Sequence, residues 1–164
     1  MYYSTTVTFF VSALCALLLP YYVAGELQIQ SCKKEDIAQG IVSIGDISAS
    51  GSTIKQSLLE FSGEMQPSII NVHLVISNED GDTVMEQNID FCSLSSTDMF
   101  KSYLESFSEP QFNQGNCPIN PGTYTSGDFD IQIDDGGEGS YTIDIEVQEG
   151  SNTLFLITCN AKIE

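Results

Sequence analysis

Arginine and tryptophan are absent from this 164-residue chain, and histidine occurs once. Five lysines (Lys33, Lys34, Lys55, Lys101 and Lys162) stand against 23 acidic residues, for a formal net charge of −18. Each shortage argues against a class of function. Phosphate backbones are held mainly through Lys and Arg, so nucleic acid is not an expected partner. Docking on anionic lipid by charge alone is disfavoured at neutral pH for the same reason. Without Trp the chain lacks a common sugar-stacking platform. Carboxylates are so frequent that no one pair stands out as the two acids a glycosidase needs. Any Ser-His-Asp or Cys-His mechanism would have to use His73, which sits in a strand pattern on a polar face with no nucleophile motif beside it. There is no C-x-x-C pair or Cys/His cluster of zinc-site spacing. Asn78-Glu79-Asp80-Gly81-Asp82 lacks the spacing and the bidentate Glu of an EF-hand and reads as a hairpin turn. No Gly-rich phosphate loop and no N-glycosylation sequon are present. The expectation is a protein that is not an enzyme and needs neither cofactor nor metal.

Long apolar runs are also scarce. The one at the start, Val7 to Leu19, is broken by Pro20 and is shorter than the roughly 20 residues a membrane span needs. Residues 1–25 contain no Lys, Arg, Asp, Glu or His, and Val23 and Gly25 are the small residues a signal peptidase reads. We therefore expect a signal peptide over 1–25, cleaved after Gly25, and a single domain over 26–164. The acidic surface suits a soluble protein, and equally one that works in an acidic compartment, where protonated carboxylates repel less. The expected location is outside the cell or in the endolysosomal lumen.

What the chain does have is cysteine in an even set. With Cys15 in the leader, Cys32, Cys92, Cys117 and Cys159 remain, which in an oxidising compartment reads as two disulfides. Three pairings exist. The favoured one joins Cys32 to Cys159, tying the ends of the domain, and Cys92 to Cys117. Loop-closure arithmetic assigns about 3 kcal/mol to the shorter loop and between about 4 and 5 to the longer.

The rest of the chain after Lys34 shows alternation or short β-branched runs bounded by Gly, Asn, Asp or Ser. Ile70, Val72, Leu74 and Ile76 share one strand face, with Asn71 and His73 on the other. Thr83 to Phe91 reads as the returning strand. Phe129, Ile131 and Ile133 alternate with Asp128, Asp130 and Gln132. Tyr141, Ile143, Ile145 and Val147 alternate with polar residues. Leu154 to Ala161 is apolar at consecutive positions, as if covered on both faces. Ile41 to Ile47 and Gly51 to Glu64 read as two more strands. Short strands at such spacing predict an all-β sandwich or barrel.

The stretch 93–116 departs from this. Phe100, Tyr103, Leu104 and Phe107 fall at i, i+3, i+4 and i+7, one face of a helix, with Ser96 or Thr97 as its cap and Pro110 beyond its end. Such an aromatic face either plugs one end of the sandwich or forms a lid over a cavity mouth.

Four segments go further. They are Cys117-Pro118-Ile119-x-x-Gly122, Asp128 to Ile133, Gly139-Ser140-Tyr141-Thr142-Ile143, and Leu156-Ile157-Thr158-Cys159-Asn160-Ala161. Together they resemble the ML lipid-recognition family, which includes the Niemann–Pick type C sterol carrier and the ganglioside activator. The secreted phosphatidylglycerol/phosphatidylinositol transfer proteins of fungi and amoebae are the most similar group. Phe61-Ser62-Gly63, Ile70-Asn71-Val72-His73-Leu74 and Asp90-Phe91-Cys92 are similar to that group's motifs. The resemblance implies a two-sheet, immunoglobulin-like β-sandwich with a hydrophobic pocket between the sheets, and the same two disulfides. The chain lacks the third, early disulfide of some members, and its stretch 93–116 is longer than in the sterol carrier.

The expected function is a secreted, monomeric carrier that takes a sterol or phospholipid between its sheets and passes it between membranes by transient contact. Its expected pocket residues are Ile70, Val72, Leu74, Ile76, Phe129, Ile131, Ile133, Tyr141, Ile143 and Ile145. Phe100, Tyr103, Leu104 and Phe107 are the expected lid. The alternative is a secreted sandwich with a solid core that recognises a protein and carries no lipid.

Overall fold

Strands β6 (Ile70–Asn78) and β7 (Thr83–Asp90) form the hairpin that the Asp-Gly turn announces. Asn78 closes it: its side-chain oxygen accepts from the Asp80 and Asp82 amides at 3.1 and 2.8 Å, while Gly81 takes the left-handed backbone (φ +84°) that favours glycine. In this computed structural model, residues 27–56, 58–130 and 137–164 are described. The expected signal peptide over 1–25 lies outside them, as do Ile131 and Ile133.

Around the hairpin stands a five-stranded antiparallel sheet. Its order is β1 (Leu27–Asp36), β11 (Asn152–Ile163), β10 (Gly139–Glu149), β6 and β7. The inward residues of β6 are 0 to 4 % exposed, whereas Asn71, His73 and Val75 between them are only partly covered. Each such aliphatic side chain contributes roughly 1.5–3 kcal/mol by leaving water, enough to fix the register of the sheet.

The opposite layer is interrupted. One three-stranded sheet orders β2 (Val42–Ile44), β5 (Leu59–Phe61) and β8 (Gly122–Tyr124). The other orders β3 (Ile47–Ser50), β4 (Thr53–Gln56) and β9 (Phe129–Asp130). The chain passes from β2 to β3, from β4 to β5 and from β8 to β9, so the two sheets lie end to end as one layer with a break. At the break the Gly45 amide donates to the Leu58 carbonyl at 2.9 Å. Both layers contribute to one buried core, and the architecture is the all-β sandwich expected, its second layer split where a single sheet was foreseen.

Both favoured disulfides form. Cys32 and Cys159 are cross-strand partners in the β1–β11 ladder, with Cα atoms 4.1 Å apart. Cys92, in a 3-10 turn (Phe91–Ser96), joins Cys117 across a Cα separation of 5.4 Å.

Four elements depart from expectation. The stretch Gly51 to Glu64, read as one strand, forms two, β4 and β5, which belong to different sheets. β1 begins ahead of the point where strands were read. It is an edge strand with a charged run, Lys33 to Asp36, in which Lys33, Glu35 and Asp36 are exposed while Lys34 is largely covered and its Nζ donates to the Ile44 carbonyl at 2.8 Å; such edges carry charge in place of alternation. Leu154 and Phe155 are adjacent and both buried because β11 is bulged there: Phe155 pairs with Val147 and Thr153 with Gln148, leaving Leu154 as the extra residue. From Phe155 onward the strand alternates, with one face buried. Finally, α1 (Asp98–Glu105) is only eight residues long, and a second 3-10 segment (Pro110–Gly115) follows it, so Phe107 lies beyond the helix. Among the described residues no helix is long and apolar enough to cross a membrane.

Candidate functional site: an apolar cavity between the layers

The cavity sits over the middle of the five-stranded sheet. Its floor is three cross-strand pairs: Val72 with Val147, Leu74 with Ile145, and Ile76 with Ile143. Phe155 and Ile157 of β11 extend it. The roof is Val42, Ile44, Ile47, Ile54, Gln56 and Leu59 from the broken layer. Phe91 and Leu94 of the first 3-10 turn, with Phe100 and Tyr103 of α1, close one side. Counting its open mouth the space is about 880 Å³, of which about 90 Å³ admits the centre of a water molecule. The free volume is therefore a narrow slot. Ile145 points inward from a central strand yet stays only partly covered, as a side chain facing an unfilled space does.

Of the pocket residues expected from sequence, Val72, Leu74, Ile76, Ile143 and Ile145 line this cavity. Ile70 and Tyr141 do not; they are buried at opposite ends of the β6–β10 ladder, beyond the slot. Ile70 pairs with Glu149 at one end. Tyr141 pairs with Asn78 at the other, where its hydroxyl donates to the Gly137 carbonyl at 2.7 Å. Phe129 belongs to β9, and Ile131 and Ile133 lie outside the described residues.

The expected lid residues divide. Phe100 and Tyr103 face the cavity. Leu104 and Phe107 pack away from it. Leu104 is 2 % exposed and covers Gly115, whose positive φ (+75°) and crowded position leave no room for a β-carbon. Phe107 stacks on Phe112 with ring centroids 4.1 Å apart. From there rings run in contact through Tyr124 and Phe61 to Phe91. The insertion thus serves as plug along one flank and as cavity wall along the other.

Gln56 is the residue that the sequence reading passed over. It shares the inward face of β4 with Ile54, at 7 % exposure, and it is the buried polar side chain of the described core. The available signal was the spacing Ile54-x-Gln56, a glutamine where alternation calls for an apolar side chain. Its Nε2 donates to the Leu58 carbonyl at 3.0 Å and its Oε1 accepts from the Tyr103 hydroxyl at 3.3 Å. Burial pushes the Tyr103 phenol well above its usual range, and the bond to Gln56 offsets this in part.

His73 lies on the outer face of the large sheet. Its Nε2 is 2.9 Å from Glu86 Oε1 and its Nδ1 is 3.8 Å from Glu146 Oε2. Among the described residues no group of three His, Cys, Asp or Glu side chains is placed to hold a metal ion.

Compared with models of known protein families the chain matches none, and compared with curated proteins it again matches none.

Proposed function

We propose that this protein is a secreted lipid carrier of the ML type. It takes the apolar part of a lipid into the slot between its layers, performs no chemistry on it, and releases it at another membrane. One observation carries the reading: the space between the layers is walled almost wholly by aliphatic and aromatic side chains, with one polar pair, Gln56 and Tyr103. An apolar guest is favoured there by about 25 cal/mol per Å² of surface removed from water, before the costs of association. Two disulfides fit a lumenal or extracellular protein. The test is to purify the secreted protein, identify co-purifying lipid by mass spectrometry, and titrate a fluorescent lipid. A bound lipid with saturable titration is expected. Clean protein with no saturable binding overturns the proposal.

The narrowness of the slot favours a second reading, a sandwich that fills its own interior and recognises a protein through its surface. In that case insertion of bulk at the slot costs stability and no lipid competes for the space.

A further inference from the structure

Gln56 breaks the pattern of its own strand. A buried amide costs stability unless its hydrogen bonds are made, and an apolar residue at this inward position would avoid that cost. Rule-breaking of this kind, in an otherwise consistent core, gathers at functional sites. Here it coincides with the break in the second layer, where the Ser126 hydroxyl donates to the Gln56 carbonyl at 3.1 Å.

Taking the cavity to be a lipid site as proposed above, we infer that Gln56 and Tyr103 form its polar pole and select a neutral lipid carrying a hydroxyl group. Three features lead there. First, a primary amide has two N–H donors and two oxygen lone pairs. The bonds to Leu58 and Tyr103 use one of each; Gln56 lines the slot, and a guest hydroxyl that reaches its amide can both accept from the second N–H and donate to the second lone pair. Second, the 3.3 Å separation between Tyr103 and Gln56 is long for O–H···O, where about 2.7–2.8 Å is usual. A loose bond yields readily to a guest oxygen inserted between the two. Third, the described lining holds no cation. Lys55, next in sequence, lies on the opposite face of β4 and pairs with Asp128 at 3.1 Å. A carboxylate or phosphate drawn to this pole would be buried without a counter-charge, which costs far more than burying a hydroxyl.

The experiment uses the mature secreted protein and three fluorescent conjugated polyenes of equal length: a hydrocarbon, its terminal alcohol and its terminal carboxylic acid. The quantity read is the ratio of alcohol to hydrocarbon affinity in wild type and in Gln56→Leu. Comparing the ratios cancels the probes' different affinities for water. The ratio is expected to fall about tenfold, equivalent to about 1.4 kcal/mol. Tyr103→Phe, which removes a single oxygen, is expected to lower the ratio in the same direction and stands in if Gln56→Leu does not fold. At pH 7.5 the carboxylate is expected to bind more weakly than the alcohol. A ratio unchanged in both variants, or a carboxylate that binds more tightly than the alcohol, overturns the polar pole and leaves the carrier reading standing. If no probe binds saturably, both fall.

Discussion

Leu154 fills the space beside Gly40, so that a β-carbon on Gly40 would lie 2.5 and 2.7 Å from its two methyl groups. The same hypothetical atom would lie 2.5 Å from Glu149 Oε2, which accepts from the Ile41 amide at 3.1 Å. The Ile37 and Ala38 amides donate to the Leu154 carbonyl at 2.8 and 2.9 Å. The extra residue of the β11 bulge is thus the dock for the segment that leads from β1 to β2.

Gly40→Ala is therefore expected to destabilise the protein by about 1–3 kcal/mol, the range for overpacking a closed site. Leu154 cannot retreat easily, since it is 1 % exposed. Thermal unfolding of the two proteins checks this. An unchanged midpoint would mean that the 37–41 segment does not sit on the bulge. Gly81→Ala would be a poor control, because its positive φ strains any side chain even where space is open.

A second expectation separates the carrier from the solid sandwich. Ile145 faces the slot, whereas Ile70, on the inward face of β6, is 0 % exposed and lies beyond it. Ile145→Phe places the added atoms in unfilled space, so it is expected to change stability by under about 1.5 kcal/mol, as near-neutral core swaps do. It should also weaken binding of a fluorescent lipid by about tenfold, since the guest loses the room it occupies. Ile70→Phe should cost about 1–3 kcal/mol. Denaturant unfolding with lipid titration reads both quantities. Equal destabilisation at the two sites would argue that the slot is closed.

The alternation at Ile70 to Ile76 and at Tyr141 to Val147 made two strands legible, because period two survives wherever one face is buried and the other wet. It could not say which inward residues meet a void. Ile70 and Leu74 have the same chemistry and nearly the same burial, and only the position of the facing layer puts one at the slot and the other beyond it. The helical face at Phe100 to Phe107 was legible as a period, but not its division. That depends on Phe112, which lies past Pro110 and meets Phe107 only through the turn of the disulfide-bounded loop. Gln56 was readable in principle. Its neighbours on the inward face are apolar, but without faces assigned to β4 a glutamine looks like surface.

Glu146 supplies the last test, through pH. Its carboxylate is held below the usual range first by the hydroxyl of Thr153, then by Gln148, with His73 adding a smaller attraction against the cost of partial burial. A folded-state value below the unfolded one, about 4.3 for Glu, means that the bonded carboxylate stabilises the fold above that pH. The contribution fades as the pH falls through the folded value. Bulk acidification also relieves the repulsion among 23 acidic residues, an effect of opposite sign that would mask the first in wild type alone. The difference between wild type and Thr153→Val removes the common part. Wild type should be the more stable at pH 6, and its margin should shrink steadily as the pH drops below about 4, once Glu146 is protonated in both proteins. Thermal midpoints measured from pH 6 to pH 2 give the curve. A margin independent of pH would show that Thr153 acts through packing in β11 and leaves the carboxylate's ionisation unaffected.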